Sequence, residues 1–404
     1  MLVKAKKGNF MKPLENIKIL DLSTFLPGPY CTMLLSDLGA EIIKVESLSG
    51  DGARSSEGIF LSVNRGKKSL SLDLKSVRGL QIFKELASNS DVIIESFRPG
   101  VCQRLGIDYS VIKEINEQII YCSISAYGQT GPYKSWPAFD LNILAISGVS
   151  SLSGDREGPP ADESGIAIAD YGCGMSAALA ILSAIIARFN NNRGQYIDVA
   201  MIDAPLSWIG ARMVECFYLG MQTKKELRAR GAYGIFETKD GACISLVARF
   251  DKFWKRLCQV LNMSYLIDIP NYATISQRDL KQDEINELLR PVLLTKTSQE
   301  WVKIFTDNDI PCTPVNFLDH VAEDPQVIHR KSIFEISTNG NKKIPQVVFP
   351  AKFSDFVSTA NLPPPKLGEH TYEILTNLGY RPTTIENLAR DGILNIIDAK
   401  NVKL

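Results

Sequence analysis

The sequence predicts an open, doubly wound α/β fold with a smaller α+β unit in the middle of the chain. Two observations carry this. From residue 17 onward, Ile- and Val-rich runs alternate with segments whose apolar residues recur at helical spacing. That is the pattern of a parallel sheet covered by helices on both faces. Near Lys224 the texture changes to a charged stretch, a hairpin and a run of helices, as expected of a separate α+β unit.

Taken in order, IKILDLS opens the sheet as a strand, and GPYCTMLLSDLGA is a helix closed by Gly39. EIIKVES is the second strand, followed by the loop LSGDGARSSEG. VRGLQIFKELASNS reads as a helix, DVIIESF as the third strand, YSVIKEINEQ as a helix and IIYCSISAYG as the fourth strand. GIAIADYGCGMSAALAILSAIIARF reads as a short apolar strand ending at Asp170, two glycines, and a long small-residue helix beginning near Met175. GQYIDVAMIDA follows, and PLSWIGARMVECFYLG reads as one long helical segment. Beyond it, two strands turn at Lys239-Asp240-Gly241, a hairpin signal. Helices follow at FDKFWKRLCQVL, DEINELLRPVLL and SQEWVKIFTDN, so residues 228–325 form the smaller unit. KKIPQVVFPAKFSD and NLPPPKLGEHTYEILTNLGY return to loop and helix.

The 404 residues suffice for two domains. With 45 basic and 45 acidic residues the formal net charge is zero, so bulk charge favours neither nucleic acid nor an anionic membrane. Any anion site must come from local cations. Eight cysteines without C-x-x-C or metal-ligand spacing, and three histidines, point to a reducing cytoplasmic setting and away from a metal site. MLVKAKKGNFMKPL lacks the apolar core of a secretory signal. The most apolar helical stretch, Ala177 to Ala187, falls short of the roughly 20 residues of a bilayer span, so no membrane association is expected.

Asp170 admits three readings. Gly172-Cys173-Gly174-Met175-Ser176-Ala177 fits G-x-G-x-x-A, a dinucleotide signature. Asp170 and Tyr171 intervene before its first glycine, however, and a carboxylate there would repel a pyrophosphate. No acidic residue stands about 20 positions on at a strand end. The second reading makes Asp170 a helix cap that complements the macrodipole. The third makes it a nucleophile that attacks an activated acyl group, with glycine N–H groups stabilising the oxyanion and the glycines leaving room for a bulky substrate. Local sequence leaves cap and nucleophile both open.

A wider pattern bears on the choice. NIKILDLSTFLPGPYCTMLLSDLGAEIIKVE, the Gly50-Asp51 and Arg54 that follow, NRGKKSLSLDLK, DVIIESFRPGVCQRLGIDY, SISAYGQTGPY, the Asp170 segment, GQYIDVAMIDA and PPPKLGEHTYEILTNLGY occur in this order along nearly the whole chain. Together they resemble the family III CoA-transferases, which include formyl-CoA transferase, carnitine CoA-transferase and the related α-methylacyl-CoA racemases. The resemblance implies a Rossmann-like domain built from both chain ends, a small domain from the middle and an interlocked homodimer with the active site at its interface. The corresponding boundaries are residues 14–205 for the first part of the large domain, 206–227 for a linker, 228–325 for the small domain and 326–404 for a linker and the return.

The resemblance also implies that Asp170 is the acyl-accepting nucleophile of a CoA-transferase. An acyl-CoA and a small carboxylic acid would be its substrates, with no tightly bound cofactor. Arg104 and Lys67 match family residues that contact CoA, and Phe25 and Leu26 align with positions near its adenosine. Arg98 and Arg54, in loops after strands, are further expected phosphate contacts. The racemase alternative needs a general acid/base pair. Phe139 stands where the racemase histidine would be, and Phe250 where its glutamate would be, so that alternative is disfavoured. Phe139 is then expected to line the CoA site. Ser47, Pro137 and the short RGAYGIFETKDG in place of a glycine-rich lid depart from the formyl-CoA transferase pattern and argue against formyl-CoA or oxalate.

Overall fold

Six segments become parallel strands. In the computed structural model, which describes residues 12–161, 165–337, 342–358 and 362–397, these are β1 (Lys18–Leu22), β2 (Glu41–Glu46), β3 (Lys67–Leu72), β4 (Val92–Glu95), β5 (Ile120–Ser125) and β6 (Gln195–Ala200). Their order is β3-β2-β1-β4-β5-β6, and the short strand Leu394–Asn395 joins β3 antiparallel at the outer edge. β1 pairs with β2 on one side and with β4 on the other. The chain therefore winds outward from β1 and then, in the opposite direction, from β4. That reversal opens a crevice beyond the carboxyl ends of β1 and β4. The Thr24 N–H donates to Ser96 Oγ at 2.9 Å and ties the two rim loops together.

Because successive strand side chains point to opposite faces, Val92 and Ile94 enter one core while Ile93 enters the other. The first core is closed by the helices Pro27–Asp37 and Ile168–Asn191. The second is closed by Val77–Ser88 and by the late helices Thr371–Asn377 and Pro382–Arg390, through Ile374, Leu375, Ile385 and Leu388. Burying each such side chain contributes about 1.5–3 kcal/mol.

The chain divides into two compact units, one of Met1–Ser150, Asp162–Trp208 and Lys331–Leu404, the other of Ser151–Ala161 and Ile209–Arg330. Residues 151–161 thus group with the middle of the chain, outside the boundaries drawn from sequence. In the second unit β7 (Tyr233–Glu237) and β8 (Cys243–Val247) form the antiparallel hairpin, and β9 (Cys312–Pro314) adds to β8. Gly241 supplies the left-handed turn residue, φ +73°. Trp254, Leu257, Ile285, Leu289, Trp301 and Phe305 build this unit's own core.

Several elements differ from the sequence expectation. GIAIA is not a strand: the helix Ile168–Asn191 begins before Asp170 and contains both glycines. Ala169, Cys173, Ala177, Ile181 and Ile185 are buried at four-residue intervals, and a short apolar run cannot be told from a buried helix start by periodicity alone. At 24 residues the helix is long and apolar enough to cross a membrane by length and composition, so the expectation of a short stretch fails. Its buried side packs on the Pro27–Asp37 helix within the first core. β3 escaped notice because Lys67, Ser69 and Ser71 are buried polar residues that hide the apolar pattern. The loop after β2 contains a short helical turn, Gly52–Ser55, and leads into the helix Glu57–Val63. PLSWIGARMVECFYLG breaks at Ile209 into Asp203–Trp208 and Gly210–Phe217. KKIPQVV is no loop, since Lys343–Val347 pairs antiparallel with Ile333–Ser337.

Candidate active site

The crevice at the strand reversal holds a cavity of about 270 Å³ whose wall includes Phe25, Arg98, Lys134, Trp136, Phe139 and Asp170. Phe25 follows β1, Arg98 follows β4, and Lys134, Trp136 and Phe139 lie in the long connection after β5. All belong to the larger unit.

Asp170 sits in the first turn of the long helix, but it is not the cap. The N-cap residue Ala167 offers no side-chain hydrogen bond. The helix start is instead capped from a distance: Asp140 Oδ1 accepts the N–H groups of Ala169 at 2.7 Å and Asp170 at 3.1 Å. This leaves the Asp170 carboxylate facing the cavity. Burial, and then the charge of Asp140, push its pKa up from 3.8 to about 7. A helix N-terminus works in the opposite direction, and burial with the neighbouring charge outweighs it here. Near neutral pH both its protonated and its ionised forms are therefore populated.

The glycines do not form an open turn. Both lie inside the helix, where their N–H groups belong to the i→i−4 ladder. A Cβ on Gly174 would fall 2.5 Å from the Pro27 carbonyl oxygen, and one on Gly172 would fall 2.0 Å from the Trp208 ring. They allow close packing of the protein against itself, not room for a substrate or an oxyanion hole.

Phe25 is held in the left-handed region, φ +62°, a conformation costing a non-glycine residue about 1 kcal/mol or more. Its N–H donates to Asp51 Oδ1 at 3.1 Å, and Asp51 in turn pairs with the buried Lys44 at 2.8 Å. Lys44 also donates to the Ser23 carbonyl at 2.8 Å. The Phe25 ring meets the exposed Phe139 ring edge-to-face at 6.4 Å, a favourable aromatic geometry.

Three sequence candidates turn out to be structural. Lys67 is fully buried, and its ammonium donates to Asp21 Oδ2 (3.1 Å), the Pro29 carbonyl (2.9 Å) and Asn64 Oδ1 (2.8 Å). An ammonium has three donors, so none is left for a phosphate. Lys67 also opens β3 and does not sit in a loop past a strand. Burial alone would raise the pKa of Asp21, but Lys67 and Lys44 hold it down at about 2. Arg54 grips both oxygens of Glu46 at 2.8 Å and gives its third nitrogen to the Pro365 carbonyl. Leu26 is buried with Met33 and Val63. Arg104 is exposed on the short helix Val101–Leu105 and lies outside the cavity wall. Asp170, Arg98, Phe25 and Phe139 are brought together. Among the described residues, no group of three or more His, Cys, Asp or Glu is placed to hold a metal ion.

Sequence reasoning missed Lys134, Trp136, Ser125 and Asp140. KSWPAFD, a polar and aromatic loop just before Phe139, carried the signal for the first two. The capping role of Asp140 spans 29 residues and left no local trace.

A doubly wound sheet with a partly buried carboxylate in its switch-point crevice is the layout of an α/β enzyme. Residues 14–371 match CoA-transferase family III, and the chain belongs to that family. It is an enzyme whose substrates are CoA thioesters. It is 35% identical to the succinyl-CoA:glutarate CoA-transferase of Mus musculus, covering 96% of this chain and 92% of that one. It is 30% identical to the succinate–glutarate CoA-transferase of Agrobacterium fabrum, covering 94% and 98%. Among solved structures, a CaiB/BaiF family protein from Brucella suis superposes with a TM-score of 0.82 at 29% identity, covering 91% of this chain and 100% of that one.

Proposed function

We propose that this enzyme moves CoA from an acyl-CoA donor to a free carboxylic acid through covalent intermediates on Asp170. The observation that carries the reading is that Asp140, not Asp170, caps the long helix, so a carboxylate at the head of the crevice has no structural duty. The ionised Asp170 attacks the donor thioester carbonyl, forming a mixed anhydride and releasing CoA thiolate. The thiolate attacks the aspartyl carbonyl, giving an aspartyl-CoA thioester and freeing the donor acid. The acceptor carboxylate then attacks that thioester, and the released thiolate takes the new acyl group, which regenerates Asp170. The aromatic wall of Phe25, Trp136 and Phe139 lowers the local dielectric, which strengthens each of these charge interactions. Arg104, exposed near the rim, is a CoA phosphate contact in this reading.

The names of the relatives support carboxylic acids with two carboxylates, such as succinate and glutarate, as the exchanging pair. The interlocked homodimer is part of the proposal. The long helix supports a self-association surface, because Met175, Leu179, Ile186 and Phe189 are all exposed on one side of it. Racemisation is disfavoured because Phe139 cannot exchange a proton.

The deciding experiment is Asp170→Asn. CoA transfer is expected to vanish while free CoA still binds, and the wild-type peptide bearing Asp170 should gain the mass of CoA less one water when acyl-CoA is added. Near-normal transfer by the variant would end the mechanism. Deuterium incorporated at the α-carbon of a 2-methylacyl-CoA in D₂O would favour the racemase reading.

A further inference from the structure

Charge within the catalytic cavity singles out a second function for its wall. Lys134 and Arg98 both line it, and neither forms an ion pair among the described residues. Asp170 is the one carboxylate among the described residues of that wall. In the free enzyme these groups leave the cavity with an excess of positive charge. Once Asp170 is acylated its charge is gone, and Arg98 and Lys134 remain as the charged side chains of that wall. An acceptor with a single carboxylate uses its one charge in the reaction, whereas a dicarboxylic acid keeps a second.

Two features favour the Asp170 side as the place where that second charge sits. Arg98, Pro99 and Lys134 are shared with a neighbouring cavity of about 600 Å³, but its wall contains the acids Glu95 and Asp108, which oppose an anion there. On the Asp170 side, Ser125 Oγ at the carboxyl end of β5 is buried without a hydrogen-bond partner among the described residues and belongs to the same wall. A buried hydroxyl left unpaired is unfavourable, and an oxyanion in the cavity would accept its hydrogen.

We propose that Lys134 and Arg98, with Ser125, form an oxyanion subsite that holds the remote carboxylate of a dicarboxylic acid while the near carboxylate reacts at Asp170. The inference rests on Asp170 as acyl acceptor, and it assigns Arg98 to the acid and not to a phosphate of CoA. Lysine contributes a point charge and arginine a planar fork, so the pair can hold one carboxylate from two sides.

The test compares glutarate with pentanoate, which share a five-carbon chain and differ in the remote carboxylate. For wild type, Lys134→Met, Lys134→Arg and Arg98→Gln, the ratio of kcat/KM for the two acceptors is measured, along with the Kd of free CoA. Lys134→Met and Arg98→Gln are expected to lower the glutarate-to-pentanoate ratio at least tenfold, Lys134→Arg to retain most of it, and the CoA Kd to move less than twofold. An unchanged ratio overturns the subsite. So does a rise in CoA Kd with equal loss for both acids, which would place CoA phosphate on these cations. Calorimetric binding of glutarate and pentanoate to the same proteins is independent of turnover. If no acid is converted but the binding preference and its loss in Lys134→Met persist, the transfer reaction is wrong and the subsite stands.

Discussion

Asp140 caps the helix that carries Asp170, accepting the N–H groups of Ala169 and of Asp170 itself at one carboxylate oxygen. The same side chain is the charge that, after burial, pushes Asp170 up to about 7. One residue therefore takes the capping role from Asp170 and adds to the effect of burial in raising the pH at which Asp170 ionises.

Asp140→Asn separates the two effects. Asparagine keeps a carbonyl oxygen for the cap but removes the charge, so the acidic limb of kcat/KM, expected near pH 7, should move to lower pH. The move is partial, because burial is the larger cause. Asp140→Ala should also lose about 1 kcal/mol of stability with the cap. A limb that stays in place in Asp140→Asn would show that the limb belongs to another group.

Asp170 also predicts a pH dependence of stability. Its folded pKa lies above the unfolded value, so the folded protein binds the proton more tightly and stability falls as pH rises between about 4 and 7. Asp170→Asn removes this loss. The variant should gain in Tm relative to wild type as pH is raised through that interval, with a constant difference above it. A difference independent of pH would contradict the raised pKa.

Lys67→Met should cost about 3–5 kcal/mol in urea unfolding, since it strands the buried carboxylate of Asp21. Asp21 has a lowered folded pKa, so its contribution is present above pH 4 and lost as pH falls through about 2. If Lys67→Met instead left stability intact and weakened CoA binding, the ligand role read from sequence would be restored.

Gly174→Ala should destabilise by about 1–3 kcal/mol, because its Cβ meets backbone at Pro27. Gly172→Ala should cost less, since the half-exposed Trp208 ring can swing aside, and adding Trp208→Ala should relieve that clash. Equal costs for the two single variants would argue against this packing.

Leu179→Glu or Phe189→Glu, on the exposed face of the long helix, should lower the mass measured by light scattering from dimer toward monomer. An unchanged mass in both would exclude that face from the association.

Much of the sheet was legible because a strand buried on both faces must be apolar throughout, as in Val92, Ile93 and Ile94. β3 was not, since its buried Lys67, Ser69 and Ser71 bond to Asp21, Glu46 and the Ser47 carbonyl, all distant in sequence. Among the site residues, Asp170, Arg98, Phe25 and Phe139 could be named from local motif and resemblance. Lys67 and Arg54 could not be judged that way, because a cation's availability depends on which acids the fold brings to it.

The sequence by itself determined the α/β class, the hairpin of the middle unit and the family, since all three rest on local periodicity, turn chemistry or motif order. Tertiary structure alone decided that Asp170 begins a helix instead of ending a strand, that Asp140 caps that helix, and that Lys134 shares a wall with Arg98. Each of these depends on side chains 29 or more residues apart meeting in space. Burial and through-space charge, which set the chemistry of Asp170, exist only after the chain has closed around it.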